Sequence, residues 1–449
     1  MKMINRKAFL SAALCLAIIS NASAAIADHV VRSKVAGIDV IVYPMGVKDI
    51  VTLAGSLPAG DSYAEEGNIS VASLTGMLLD KGTKSRDKFA IAKQLDDVGA
   101  QVSFNVGEQM VAIGGKSLKK DLPLLIRILA EELRTPAFSA EELEKAKKQF
   151  EGTLRPALEN TKFRAQDAYS RLVYPAGHPN RMHEIPEWLS ASEQLKLDEV
   201  KAFHQKYYGP AHLTLIFVGD VDAKRIQAEI GKAFGGWTGG VDVIRSSQTE
   251  PVRAQREQRI ELKDKTSVSV ILGQPTGLRY LDPDSVPLRV GTAILGSGFT
   301  GRLMSTIRDK EGLTYGIGAS VGGDTFVDGS WTVSAAFAPA LLDKGIASTR
   351  RELDKWWQNG VTPAELAARK TNLIGTYQVG LATTEGMAGA MLQTLHRGKP
   401  LSWLDDYPSV IQALTVEQIN SAIKKHLDPQ KMVRVEAGTF ETAAQPPAP

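Results

Sequence analysis

Cysteine is almost missing from this chain of 449 residues: the only one, Cys15, lies in an apolar run close to the start. A disulfide framework, a cysteine zinc site and thiol catalysis are therefore excluded for everything beyond that run. Net charge is also scarce. The formal value is +3, and Lys2, Arg6 and Lys7 account for all of it. Without them the chain is near neutral, and nothing in it calls for a nucleic acid or an anionic membrane surface. Long hydrophobic runs are absent beyond residues 8–19, so no membrane span is expected in the rest of the chain. The seven histidines include no pair spaced i, i+4 on one helix face. The glycines of GSGFTG (296–301) lack the Lys-Ser/Thr of a phosphate loop, and Ser/His/Asp catalysis finds no support.

What is present begins with a targeting segment. The basic residues Lys2, Arg6 and Lys7, the apolar run from Ala8 to Ile19 and the small residues Ala22-Ser23-Ala24 have the three-part pattern of a cleavable signal peptide, assigned to residues 1–24. Leu14 before Cys15 and apolar residues after it argue against lipidation. The sequence thus predicts export to a bacterial periplasm.

The remainder reads as a duplication. SAEELEKAKKQFEGTL (139–154) answers to TPAELAARKTNLIGTY (362–377), each with a Ser or Thr cap before an acidic first turn. LKLDEVKAFHQKYYGPAHLTLIFVGD (195–220) answers to LTVEQINSAIKKHLDPQKMVRVEAG (414–438), each a helix, a proline turn and a strand. The lag of about 220 residues is too long for a solenoid and predicts two tandem domains of similar fold. The strand-like runs 38–43, 49–55 and 266–273 and the helical patterns 121–134 and 342–360 alternate without strict βαβ order, which favours an α+β fold in which each domain packs a mostly antiparallel sheet with helices. The expected boundaries are an N-terminal domain at 30–236, a linker at 237–258 rich in turn residues, a C-terminal domain at 259–440, and a disordered tail at 441–449.

Two segments carry chemistry, VASLTGMLLDKGT (71–83) and LGSGFTGRLMSTIRDKEGLTYGI (295–317). Together with the duplicated helices they resemble the pitrilysin/insulinase-like zinc peptidases, the branch that includes mitochondrial processing peptidase and its bacterial relatives, over roughly residues 30–440. In that family a His-x-x-Glu-His helix supplies two zinc ligands and the base that activates water, and a later Glu completes the site. Here Met77, Leu78, Leu79, Lys81, Gly82 and Thr83 keep the context, but the five motif positions are Ala72, Ser73, Leu74, Thr75 and Gly76. None can ligate zinc. Glu151 stands near the third-ligand position, with Gly152 beside it, and reads as a solvated helix residue. The resemblance assigns Arg308 and Tyr315, seven residues apart, to the substrate and oxyanion side of the chamber, and Gly296, Gly298 and Gly301 to a loop that handles substrate.

The implied function is that of a non-catalytic subunit, inactive alone, in a heterodimeric periplasmic zinc peptidase. The zinc and His-x-x-Glu-His would lie in a paralogous partner, with a peptide as substrate and no metal or other cofactor bound by this chain. Two alternatives stay open. One is a structural or peptide-binding family member with no role in hydrolysis. The other is a self-sufficient hydrolase built on GHPNRMHEIP (177–186), where His178, His183 and Glu184 are close in sequence.

Overall fold

The computed structural model describes residues 25–245, 249–250 and 254–441. The signal-peptide segment and nearly all of the tail fall outside them. Among the described residues eleven strands make two sheets. The first contains β1 (Val31–Val35), β2 (Ile38–Pro44), β3 (Ile50–Pro58), β4 (Gln101–Val106), β5 (Met110–Leu118) and β6 (Thr214–Gly219), in the order β1-β2-β6-β3-β5-β4. The second contains β7 (Arg256–Glu261), β8 (Val268–Pro275), β9 (Thr314–Gly322), β10 (Ser330–Phe337) and β11 (Val433–Gly438), in the order β7-β11-β8-β10-β9. In each sheet one pair is parallel, β2 with β6 and β7 with β11, and all other pairs are antiparallel. The duplication read from the sequence is thus repeated in strand order, and the α+β class holds.

The paired helices are the predicted ones. Ala140–Leu158 starts where the Ser139 side chain accepts from the Glu142 N–H, and Pro363–Gly380 where Thr362 and Glu365 form a reciprocal capping box. The strands alternate, as β-structure requires. Val40 and Val42 of β2 enter the N-terminal core with Leu53, Leu74 and Leu129, while Ile41 points to the opposite face.

That opposite face is where the two domains meet. Ile41, Ile216 and Val218 on the back of the first sheet are covered by Met387, Ala388 and Met391 of the helix Thr384–His396, which belongs to the C-terminal half. On the second sheet Ile271, Val433 and Val435 are covered by Ala165, Ala168, Tyr169 and Val173 of the helix Thr161–Val173, from the N-terminal half. Each half lends the other a helix, and all of these residues except Ala165, Ala168 and Ala388 are large enough to make burial the dominant stabilising term.

The stretch 237–258 is shorter as a linker than its composition implies. Trp237 packs on the N-terminal core, the Tyr63 hydroxyl donates to the Asp242 carbonyl at 2.8 Å, and β7 already begins at Arg256.

Candidate functional site

Arg308 is carried on a π-helix, Met304–Lys310, in which the Glu311 N–H reaches back five residues to the Thr306 carbonyl at 3.0 Å. Such wide turns are rare and recur at functional positions. Met304 and Ile307 anchor the element in the C-terminal core, and Gly312, at φ +65, turns the chain into β9. The sequence places an Arg near a helix end, a glycine turn and a Tyr opening a strand, all of which are found; the widened helix is not visible in it.

Tyr315 then meets a break in the sheet ladder. Ile317 pairs with Ala335 but Thr314 pairs with Phe337, so Tyr315 and Gly316 together face the single residue Ala336. This is a β-bulge, which re-aims side chains at sheet edges. The Thr314 hydroxyl bridges the irregularity, lying 2.5 Å from the Ala336 carbonyl and 3.2 Å from the Gly316 N–H. As a result Tyr315 is 88% exposed, although the next residues on its side of the strand, Ile317 and Ala319, pack into or against the core.

The Arg308 guanidinium carbon lies 5.1 Å from the Tyr315 ring centre and 5.1 Å from that of Phe299. Among the described residues the guanidinium makes no hydrogen bond; its only ionic approach is Asp309, at 3.9 Å. Its donors, and the phenol of Tyr315, are thus available to a group from outside. A guanidinium and a phenol are both donors to a carbonyl oxygen as it gains charge. Phe299, 71% exposed, was not singled out in the sequence, although a large apolar residue between glycines in a polar loop is a signal of its own.

The neighbouring glycines have local reasons to be glycine. A Cβ on Gly296 would lie 2.3 Å from the Ala319 amide nitrogen, so the loop can approach β9 only without a side chain, and Gly298 takes φ +68 in open space. Gly301 packs against its own loop at Ser297 and Gly296. Beyond Tyr315 a cavity of about 650 Å³ opens between the helix Thr161–Val173 and the face of β8, β10 and β9. Its floor is small or hydroxylated, including Gly316, Gly318, Ser320, Thr332 and Ser334.

The degenerate motif lies in the other half. Ala72, Leu74 and Thr75 are completely buried on the helix Val71–Leu78, and Ser73 donates to Asp61 at 2.8 Å. Zinc does not fit there. No ligand type stands at Ala72 or Gly76, and a Cβ on Gly76 would lie 2.2 Å from a methyl of Val106 on β4. Core packing has taken the space an imidazole would need. Glu151 is engaged in an ion pair with Arg155, whose Nε lies 2.6 Å from the carboxylate. Desolvation raises the Asp61 carboxyl to about 7, with the Glu108 charge adding to it and the Ser73 hydroxyl partly offsetting it.

The other histidine constellation comes apart in three dimensions. His178 is buried: its Nε2 lies 3.0 Å from Asp328 of the C-terminal half, its Nδ1 accepts the Asn180 N–H at 3.1 Å, and its ring stacks on Tyr174. Asp328 also accepts from the Thr249 N–H at 3.0 Å, so this histidine joins both halves and the connecting segment. His183 is instead half-exposed beside Glu187 and Trp188. Both ring nitrogens of His178 are committed, so a metal or hydrolytic site shared by His178, His183 and Glu184 has no geometric basis. Among the described residues no group of three metal-ligating side chains is close enough to hold an ion. The run GASVG (318–322) does spell the Gly-x-Ser-x-Gly pattern, a match that the sequence argument against Ser/His/Asp catalysis overlooks. Geometry removes it: Ser320 lies inside β9, 3.2 Å from the Thr332 hydroxyl, and not on a strand-to-helix turn.

Comparison with known proteins supplies the family. The profile described as Insulinase (Peptidase family M16) matches residues 41–175, and that described as Peptidase M16 inactive domain matches residues 194–373; together they span well over half of the chain. The non-peptidase homolog YmxG of Helicobacter pylori is 23% identical over 82% of this chain and 84% of its own. An uncharacterized zinc protease of Streptomyces coelicolor is 24% identical over 77% and 76%. A crystal structure of a peptidase M16 inactive domain from Pseudomonas fluorescens superposes with a TM-score of 0.84 at 26% identity, covering 93% of this chain and 99% of that one. With its duplicated fold and no His-x-x-Glu-His in its sequence, the chain belongs to the insulinase-like M16 peptidase family as a member without the catalytic motif.

Proposed function

We propose that this protein is the non-catalytic subunit of a periplasmic heterodimeric zinc peptidase, lending Arg308 and Tyr315 to a partner that carries His-x-x-Glu-His and zinc. The observation that carries the reading is the contrast between the two sites. Ala72, Thr75 and Gly76 are absorbed into packing, whereas Arg308 and Tyr315 are held by a π-helix and a bulge with their polar groups uncommitted. In the complex the pair donates hydrogen bonds to the substrate carbonyl as negative charge develops on it, and loss of one such donor typically costs about a hundredfold in rate. The glycine loop 296–301 and the small-residue face of the cavity leave room for an extended peptide, and β9, the edge strand of its sheet, offers main-chain groups for β-augmentation.

The second reading, a structural or peptide-binding member with no part in hydrolysis, is favoured by the likeness to a relative named a non-peptidase homolog. Co-expression with a His-x-x-Glu-His paralogue separates the two. The pair should cleave peptides when neither chain alone does, and Arg308→Ala or Tyr315→Phe should lower kcat/KM of the pair about a hundredfold while leaving the association intact. Full activity of the partner alone, or indifference of the pair to both substitutions, would replace the first reading by the second.

A further inference from the structure

We infer that Phe299 is a positioning residue for Arg308: its ring holds the guanidinium ready beside Tyr315 and away from the carboxylates at the end of its own helix. The inference rests on the reading of Arg308 given above and adds a residue to it. Arginine side chains carry much rotamer freedom, and Arg308 makes no hydrogen bond among the described residues to restrict it. Acidic groups compete for it locally. Asp309 is 3.9 Å from its Nε, and Glu311 is close by in sequence, though engaged by Arg351 and by the Ser348 hydroxyl at 2.5 Å. A guanidinium drawn fully onto Asp309 would have its donors occupied and its charge offset. The contacts that oppose this are the two rings, each 5.1 Å from Cζ. A cation over an aromatic face is held without any of its N–H groups being used up, unlike one in a salt bridge. Positioning by rings therefore leaves the donors free for substrate.

The backbone is arranged to put Phe299 in that place. Gly296 lets the loop close onto β9 beside Ala319, Gly298 supplies a left-handed turn immediately before the ring, and Gly301 allows the chain to fold tightly back toward Ser297 before the helix that carries Arg308. A phenylalanine 71% exposed gains little from burial, so the hydrophobic effect does not account for its position. Its contact with Arg308 does. The glycine loop then acts on the site through the ring it presents.

Two readouts test this in the full-length protein. In the free subunit, the Arg308 Nε–H resonance, assigned by its loss in Arg308→Lys, carries ring-current shifts from both aromatic rings. Phe299→Leu should move it toward the position of a solvated arginine, and Phe299→Tyr should keep it. An unmoved resonance in Phe299→Leu overturns the inference whatever the enzyme assays give. In the reconstituted pair, Phe299→Leu should lower kcat on the order of tenfold with KM little changed, the size expected for one cation–π contact, and Phe299→Tyr should restore it. Combined with Arg308→Ala, Phe299→Leu should have no further effect, whereas an undiminished additional loss would mean that the ring acts independently and would also overturn the inference. If Arg308→Ala alone leaves the pair fully active, the peptidase reading fails, and the resonance still decides whether Phe299 positions Arg308.

Discussion

At the scale of single residues the two halves contrast, one packed shut around Gly76 and the other left open around Arg308. Gly76 and Val106 show that the zinc position is closed and not merely vacated: the β4 methyl occupies the volume in which a second imidazole would begin. Restoring the motif by Ala72→His, Thr75→Glu and Gly76→His should therefore yield a destabilised protein without tight zinc binding, since overpacking a filled core costs about 1–3 kcal/mol per site. Urea unfolding and a zinc titration check this, and stoichiometric zinc binding with unchanged stability would refute it. Asp61 supplies a second prediction. Its folded value of about 7 is above the unfolded carboxylate value, so it contributes stability below about pH 4 that is lost as pH rises through 7. Asp61→Asn, which keeps an acceptor for Ser73, should be more stable than the parent at pH 8 and no more stable at pH 4. The absence of Ala72, Thr75 and Gly76 from any ligand chemistry was legible in the sequence. The role of Phe299 was not, because it depends on a distance between residues nine positions apart across a helix whose widened turn has no sequence signature.

At the scale of elements, caps and periodicity identified the paired helices and the principal strands. What they could not give was the bulge at Tyr315, since a ladder irregularity depends on which residue of β10 lies opposite. The joint between the π-helix and the following helix pair is also tertiary. Arg302, just ahead of the π-helix, grips Glu365 with Nε at 2.6 Å and a terminal nitrogen at 2.7 Å, and donates to the Gly360 carbonyl at 2.9 Å. The Arg302 hydrogen bond, reinforced against burial by the N–H and hydroxyl of Thr362, holds the Glu365 carboxyl down to about 2. A depressed carboxyl contributes stability above its unfolded value that disappears as pH falls through the folded one. The stability difference between the parent and Glu365→Gln should thus be full at pH 6 and shrink between about pH 4.5 and pH 2. A difference that stays constant over that window would show that the pair is energetically idle.

At the scale of the whole molecule, the duplication was legible from a lag of about 220 residues, while the exchange of helices between halves was not. Nothing in the sequence tells a helix which sheet it will cover: the apolar face of 384–396 fits either. Because Met387, Ala388 and Met391 close the back of the first sheet, damage in one half should be felt in the other. Met391→Ala, fully buried, should cost about 2–5 kcal/mol and shift a single unfolding transition read alike by probes in either domain. Two separated transitions would mean that the halves fold independently.

The exchange also has a consequence for the order of events in making the protein. The helix that completes the first sheet is Thr384–His396, so a ribosome must have supplied nearly nine-tenths of the chain before the N-terminal sheet can be finished. Until then Ile41, Ile216 and Val218 face solvent, and the emerging half is an adhesive intermediate instead of a finished domain. Contacts between residues more than 150 positions apart form late and slowly. Under the export proposed above, such delay would be an advantage: the fold withholds its own completion until almost the whole sequence has been made.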